Sequence, residues 1–147
     1  MTEPDALRIR RTLLGALYTD AMVLADDTRA YIEQAPDDEA GILDPVTRVL
    51  LSCEQLRMTT RLMTVLAWLL AWRAVDAGEM DGAVPPRLDP VSAPDIAAGR
   101  DFPAQARTLI DAGIALYRRA AFLDDAIAAA PAASPALAMQ RRLAAAL

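Results

Sequence analysis

Between Val46 and Ala77 the chain runs for 32 residues without a glycine or a proline. Nothing in that stretch stops a helix, which at about 1.5 Å per residue would extend roughly 50 Å. Ten of the eleven positions from Leu62 to Trp72 are apolar, Thr64 being the exception. A helix that is apolar on most sides must be covered on most sides. The segment therefore predicts the spine of a bundle, which needs amphipathic neighbours.

Two such neighbours can be read. Leu13, Leu14, Leu17, Ala21, Leu24, Thr28, Tyr31 and Ile32 recur at spacings of three and four and predict a first helix over 5–34. Thr2, Pro4 and Asp5 are its start signal, and Ala35-Pro36 ends it. The spine itself spans 45–77, with Asp44 as cap, Pro45 at the first helical position and Gly78 as the stop. A third helix over 103–130, capped by Asp101 or Phe102, carries the stripe Ala106, Leu109, Ile110, Gly113, Leu116, Tyr117, Ala120, Leu123 and Ile127. The missing side chain of Gly113 predicts a close contact. The expected fold is all-α, an antiparallel three-helix bundle with a long central helix, forming one domain over 1–130. The connection 78–102 contains Pro85, Pro86, Pro90 and Pro94, and its length makes it functional or mobile. Residues 131–147 read as an Ala/Pro hinge and flexible tail, in which Leu137–Leu147 forms a short helix bearing Arg141, Arg142, Leu143 and Leu147.

Composition narrows the chemistry. All fifteen basic residues are arginine; the chain has no histidine, no lysine and one cysteine, Cys53. The usual general base, amine nucleophile, zinc ligands and phosphate-loop lysine are therefore missing. Glu54 is the lone acid between Val46 and Val75, so paired carboxylates on the spine are missing too. No catalytic residue, cofactor or metal is expected. A net charge of −5 argues against nucleic acid as a partner. The N-terminus lacks a signal-peptide pattern, and the run Leu62–Trp72 is about half of what spans a bilayer, so a cytoplasmic protein without membrane contact is expected.

At about 100° per residue, Arg57, Arg61, Thr64, Trp68 and Trp72 share one side of the spine. Leu56, Thr60, Met63, Ala67 and Leu70 make a second side, and Leu62, Val65, Leu66 and Leu69 a third. The second and third sides are the ones the neighbouring helices are expected to cover, with Met63 a core filler and Cys53 a small buried residue. The Arg–Trp side then has two readings. Its indoles pack under the long connection while its arginines pair with acids such as Glu54, or it stays free as an interface, where Arg and Trp are enriched. On the second reading Arg57, Arg61, Thr64, Trp68, Trp72 and Arg73 are candidate protein-interaction residues, joined in the tail by Arg141, Arg142, Leu143 and Leu147.

The spine also carries a resemblance. LRMTTRLMTVLAWLLAWRAVDAGE resembles the signature of the RcdA family, bacterial regulators of CtrA degradation, through Arg57, Thr59, Thr60, Arg61, Leu62, Met63, Trp68, Leu69, Leu70, Arg73, Ala74, Val75, Gly78 and Glu79. LYTDAMVLADDTRAY and FPAQARTLIDAGIALYRRAAFLD give weaker support. The resemblance implies a homodimeric three-helix bundle without enzyme activity. It implies an adaptor for the ClpXP protease that works with the response regulator CpdR and brings cargo such as the cell-cycle transcriptional regulator CtrA, at the cell pole. The alternatives are a helical scaffold of another role, a DNA-binding regulator, which the acidic charge disfavours, and a chorismate-mutase-like enzyme, which would need a lysine.

Overall fold

The caps written into the sequence set the helix ends. Asp44 accepts hydrogen bonds from the backbone N–H groups of Val46 and Thr47, both at 3.0 Å, and from the Thr47 hydroxyl at 2.5 Å. These bonds stabilise the carboxylate, the Thr47 hydroxyl most of all, and hold its pKa below the ordinary value. Pro45 follows as the first helical residue. At the other end Gly78 adopts φ +74°, which a side chain would oppose. Its N–H donates to the Val75 carbonyl and that of Glu79 to the Ala74 carbonyl, both at 3.0 Å, the two bonds of a Schellman stop.

The structure, a computed structural model, describes residues 2–34, 42–80, 84–90 and 99–130. It contains three helices: α1 (Glu3–Gln34), α2 (Pro45–Asp76) and α3 (Ala104–Ala129). Each packs on the other two, which makes the all-α bundle expected from the sequence. The N-cap of α3 is Pro103, without a side-chain cap, rather than Asp101 or Phe102, and Phe102 is buried. None of these helices is long and apolar enough to cross a membrane. The short helix expected over 137–147, with Arg141, Arg142, Leu143 and Leu147, lies outside the described residues.

Helix direction departs from expectation. Arg10 near the start of α1 pairs with Asp76 at the end of α2, and Arg119 late in α3 pairs with Asp20 of α1 at 2.8 Å. Gly113 faces Met58, and one stretch further along both helices Asp124 meets Trp68. α1 is thus antiparallel to both partners, whereas α2 and α3 run parallel. A short loop would have forced them antiparallel; the long connection lets the chain return along the bundle before α3 begins. Residues 84–90 lie on that return path.

The core is centred on Met58, Val65 and Leu69 of α2, with Ala21 of α1 and Ala120 of α3 fully covered. A Cβ at Gly113 would meet Met58 Cγ at 3.4 Å, so this glycine does permit the close approach expected of it. Leu14, Leu17, Ala21, Leu24, Thr28 and Tyr31 of the predicted α1 stripe are buried, but Leu13 and Ile32 are exposed. Each follows or precedes a buried neighbour by one residue, and about 100° of rotation turns it away from the core.

Candidate protein-interaction site

The six candidate residues of α2 do not form one open strip. Trp68 and Trp72 are buried, at 4% and 7% exposure, so the expectation of two free indoles is corrected. An indole covers 150–250 Å² of surface when it packs, more than a leucine or methionine. The rotation of α2 that buries both indoles therefore wins, and it turns the second predicted side outward. Leu56, Met63 and Leu70 are 70%, 63% and 52% exposed, and Thr60, Ala67 and Cys53 are exposed with them. This face was expected to pack against a neighbouring helix, with Met63 and Cys53 inside. It is the outer face of α2.

The two indoles are fixed differently. Trp68 donates its ring N–H to Asp124 Oδ1 at 3.2 Å. The other oxygen of this buried carboxylate accepts from Arg87 Nε at 2.6 Å and from the Leu88 N–H at 3.0 Å. A second Arg87 nitrogen reaches Asp125. One carboxylate therefore joins α2, α3 and the segment 84–90, and its hydrogen bond keeps the Arg87 guanidinium charged above its ordinary pKa. Two residues along, the Asp89 carbonyl accepts from the Tyr117 hydroxyl at 2.7 Å. Burial, followed by the negative charges of Asp89 and Asp124, raises the Tyr117 pKa. Trp72 instead lies under Arg10, whose guanidinium carbon is 4.9 Å from the ring centroid, and its buried ring N–H has no acceptor among the described residues.

Of the other candidates, Arg61 is largely covered and Arg57 is open. Both face the buried Glu54, at 3.8 and 3.6 Å, beyond good hydrogen-bonding distance. Neither Glu54 oxygen has a hydrogen-bond partner among the described residues. Arg57, Arg61 and Thr64 line an open groove of about 370 Å³ together with Leu56, Thr60, Pro90 and Tyr117. Arg73 points away from this groove and lies over the Tyr18 ring at 4.8 Å. The structure thus brings Arg57, Arg61 and Thr64 together, places Trp68 and Trp72 beneath the surface, and sets Arg73 on the α1 flank.

Asp124, Arg87 and the outer face of α2 were not read from the sequence. A signal for the inner position of the indoles did exist. Asp124 falls on the core stripe of α3, four residues beyond Ala120, and a buried acid there calls for donors such as an indole N–H.

A family profile described as "Protein of unknown function (DUF1465)" matches residues 6–147. The chain belongs to the DUF1465 family. No curated protein matches this DUF1465 chain. Among solved structures it is similar to the crystal structure of RcdA from Caulobacter crescentus CB15, at 29% identity and a TM-score of 0.58. The match covers 76% of this chain and 88% of the other. The RcdA resemblance read from α2 is therefore borne out for this DUF1465 protein, together with its all-α bundle.

Proposed function

We propose that this protein is a non-enzymatic adaptor that promotes regulated proteolysis by ClpXP. In this reading it acts as a homodimer in the cytoplasm, at the cell pole, with the CpdR response regulator, and tethers cargo such as a CtrA-like cell-cycle regulator to the protease. The observation that carries the reading is the likeness to RcdA at 29% identity over most of both chains. A second observation supports it. Met63 and Leu70 carry part of the motif resemblance, yet both point outward and stay more than half exposed among the described residues. Arg57, Thr64 and Arg73 are exposed and stay candidate docking residues; Arg141, Arg142, Leu143 and Leu147 of the tail stay candidates on the sequence alone. Tethering requires no tight grip, because a second attachment point raises the effective concentration to roughly millimolar.

Pull-down with purified ClpX, CpdR, or both tests the proposal. Enrichment of the full chain with the pair, and faster loss of a CtrA-like cargo when it is added to ClpXP, is the expected result. Recovery no better than control, with unchanged degradation, rejects it.

A further inference from the structure

The outward sectors of α1 and α3 each mix charges of both signs, such as Arg8, Asp26 and Glu33 on α1 and Arg107, Asp111 and Arg118 on α3. The outward sector of α2 carries none. Val49, Cys53, Leu56, Thr60, Met63, Ala67 and Leu70 follow one another along it at steps of three and four, all exposed. The hydroxyls of Ser52, Thr59, Thr60 and Thr64 donate to carbonyls one turn back within the helix, at 2.8–3.0 Å. Their polar atoms are thus already satisfied, and their methyl and methylene groups add to an apolar surface. An exposed apolar stripe of this length marks an interaction site.

The borders of the stripe say what it fits. Arg48, Arg57 and Arg73 of α2 flank it, and no acid of that helix does. The two acids of α2 are otherwise engaged: Glu54 is buried against Arg57 and Arg61, and Asp76 is held by Arg10 and Arg11. Arg48 and Arg73 have no carboxylate partner among the described residues. A second copy of the stripe, laid antiparallel across a two-fold axis, would bring like flanks together and set arginine against arginine, which is unfavourable. The C-terminal segment 131–147 has Arg141 and Arg142 as its only charged side chains, which do not complement these arginine flanks. We infer that the outer face of α2 docks an amphipathic helix of a partner protein, apolar along one stripe and bordered by Asp or Glu. This deepens the adaptor reading by giving the chemistry of one partner.

Two synthetic peptides of about 20 residues, long enough for roughly 30 Å of helix, test the inference. They share one Leu/Met stripe at three-and-four spacing and differ in carrying Glu or Lys on both borders. Binding to the full chain is followed by calorimetry and by a polarity-sensitive dye on Cys53, the single thiol, which lies on this face. The Glu peptide is expected to bind at least about tenfold more tightly than its Lys twin, with the gap narrowing as salt rises. Met63→Asp should abolish that binding, and circular dichroism should show the variant folded because Met63 is exposed. Equal binding of the twins overturns the inference, as does failure of both, whether a second copy or the chain's own tail holds the face. A negative ClpX and CpdR pull-down alongside a clear Glu-over-Lys preference would sink the adaptor reading alone.

Discussion

The inner and outer sides of α2 are both apolar, yet they meet different surroundings. On the inner side, Val65, Leu69 and both indoles are covered by α1, α3 and the segment 84–90. On the outer side Leu56, Met63 and Leu70 stay more than half exposed among the described residues. What separates them is the pair of indoles and the polar partners provided for one of them. Hydrophobicity alone does not decide which face of such a helix turns inward; the largest ring and the nearest buried carboxylate do.

Substitutions on the two sides should therefore differ sharply. Trp68→Ala removes a buried ring and the donor to Asp124 Oδ1, so unfolding free energy by urea titration should fall by about 3–5 kcal/mol. Asp124→Ala leaves the Trp68 and Leu88 N–H groups without an acceptor and loosens the 84–90 segment, an expected loss of about 2–4 kcal/mol. Protease cleavage within that segment should rise in parallel. A loss no larger than that of an ordinary surface substitution would show that the carboxylate does not anchor the return path.

Tyr117 probes the same anchor through pH. Its folded pKa lies above the ordinary 10.0, so the neutral phenol is favoured in the fold. That contribution is complete below the unfolded value and is lost as pH rises through the folded pKa. Tyr117→Phe should remove this alkaline component from the stability profile. A profile unchanged by the substitution would place the titration elsewhere. At the small end, Gly15 in α1 has open space around the position of a Cβ. Gly15→Ala should stabilise by about 0.5–1 kcal/mol in thermal melts. Met63→Ala, on the outer side, should change stability by less than about 0.5 kcal/mol. A loss matching that of Trp68→Ala would mean that the outer side is packed in solution.

Much of this architecture was legible because it is local. The Asp44-Pro45 start and the Gly78 stop of α2 are short-range signals, and they act as read. The core stripes of α1 and α3 followed from periodicity. Two features were not legible, for a common reason: both are decided between elements. The parallel course of α2 and α3 depends on the path of a long connection, which periodicity does not encode. The rotation of α2 depends on Asp124, 56 residues beyond Trp68, and on Arg87 in the long connection, and local pattern had no means of ranking the three sides. One of the two readings left open for the Arg–Trp side came close. Trp68 does share Asp124 with the long connection, and Arg57 and Arg61 do face Glu54, while Trp72 is covered by Arg10 of α1 instead.

The central claim, that α2 turns its indoles inward and its Leu56–Leu70 side outward, can be read from one dilute sample of the native chain. Thiol labelling of Cys53 and quenching of tryptophan fluorescence by acrylamide report the two sides together. Cys53 reacting nearly as fast as in the denatured chain, with both indoles shielded, is the predicted result. A protected thiol with readily quenched indoles would mean that the helix faces the other way.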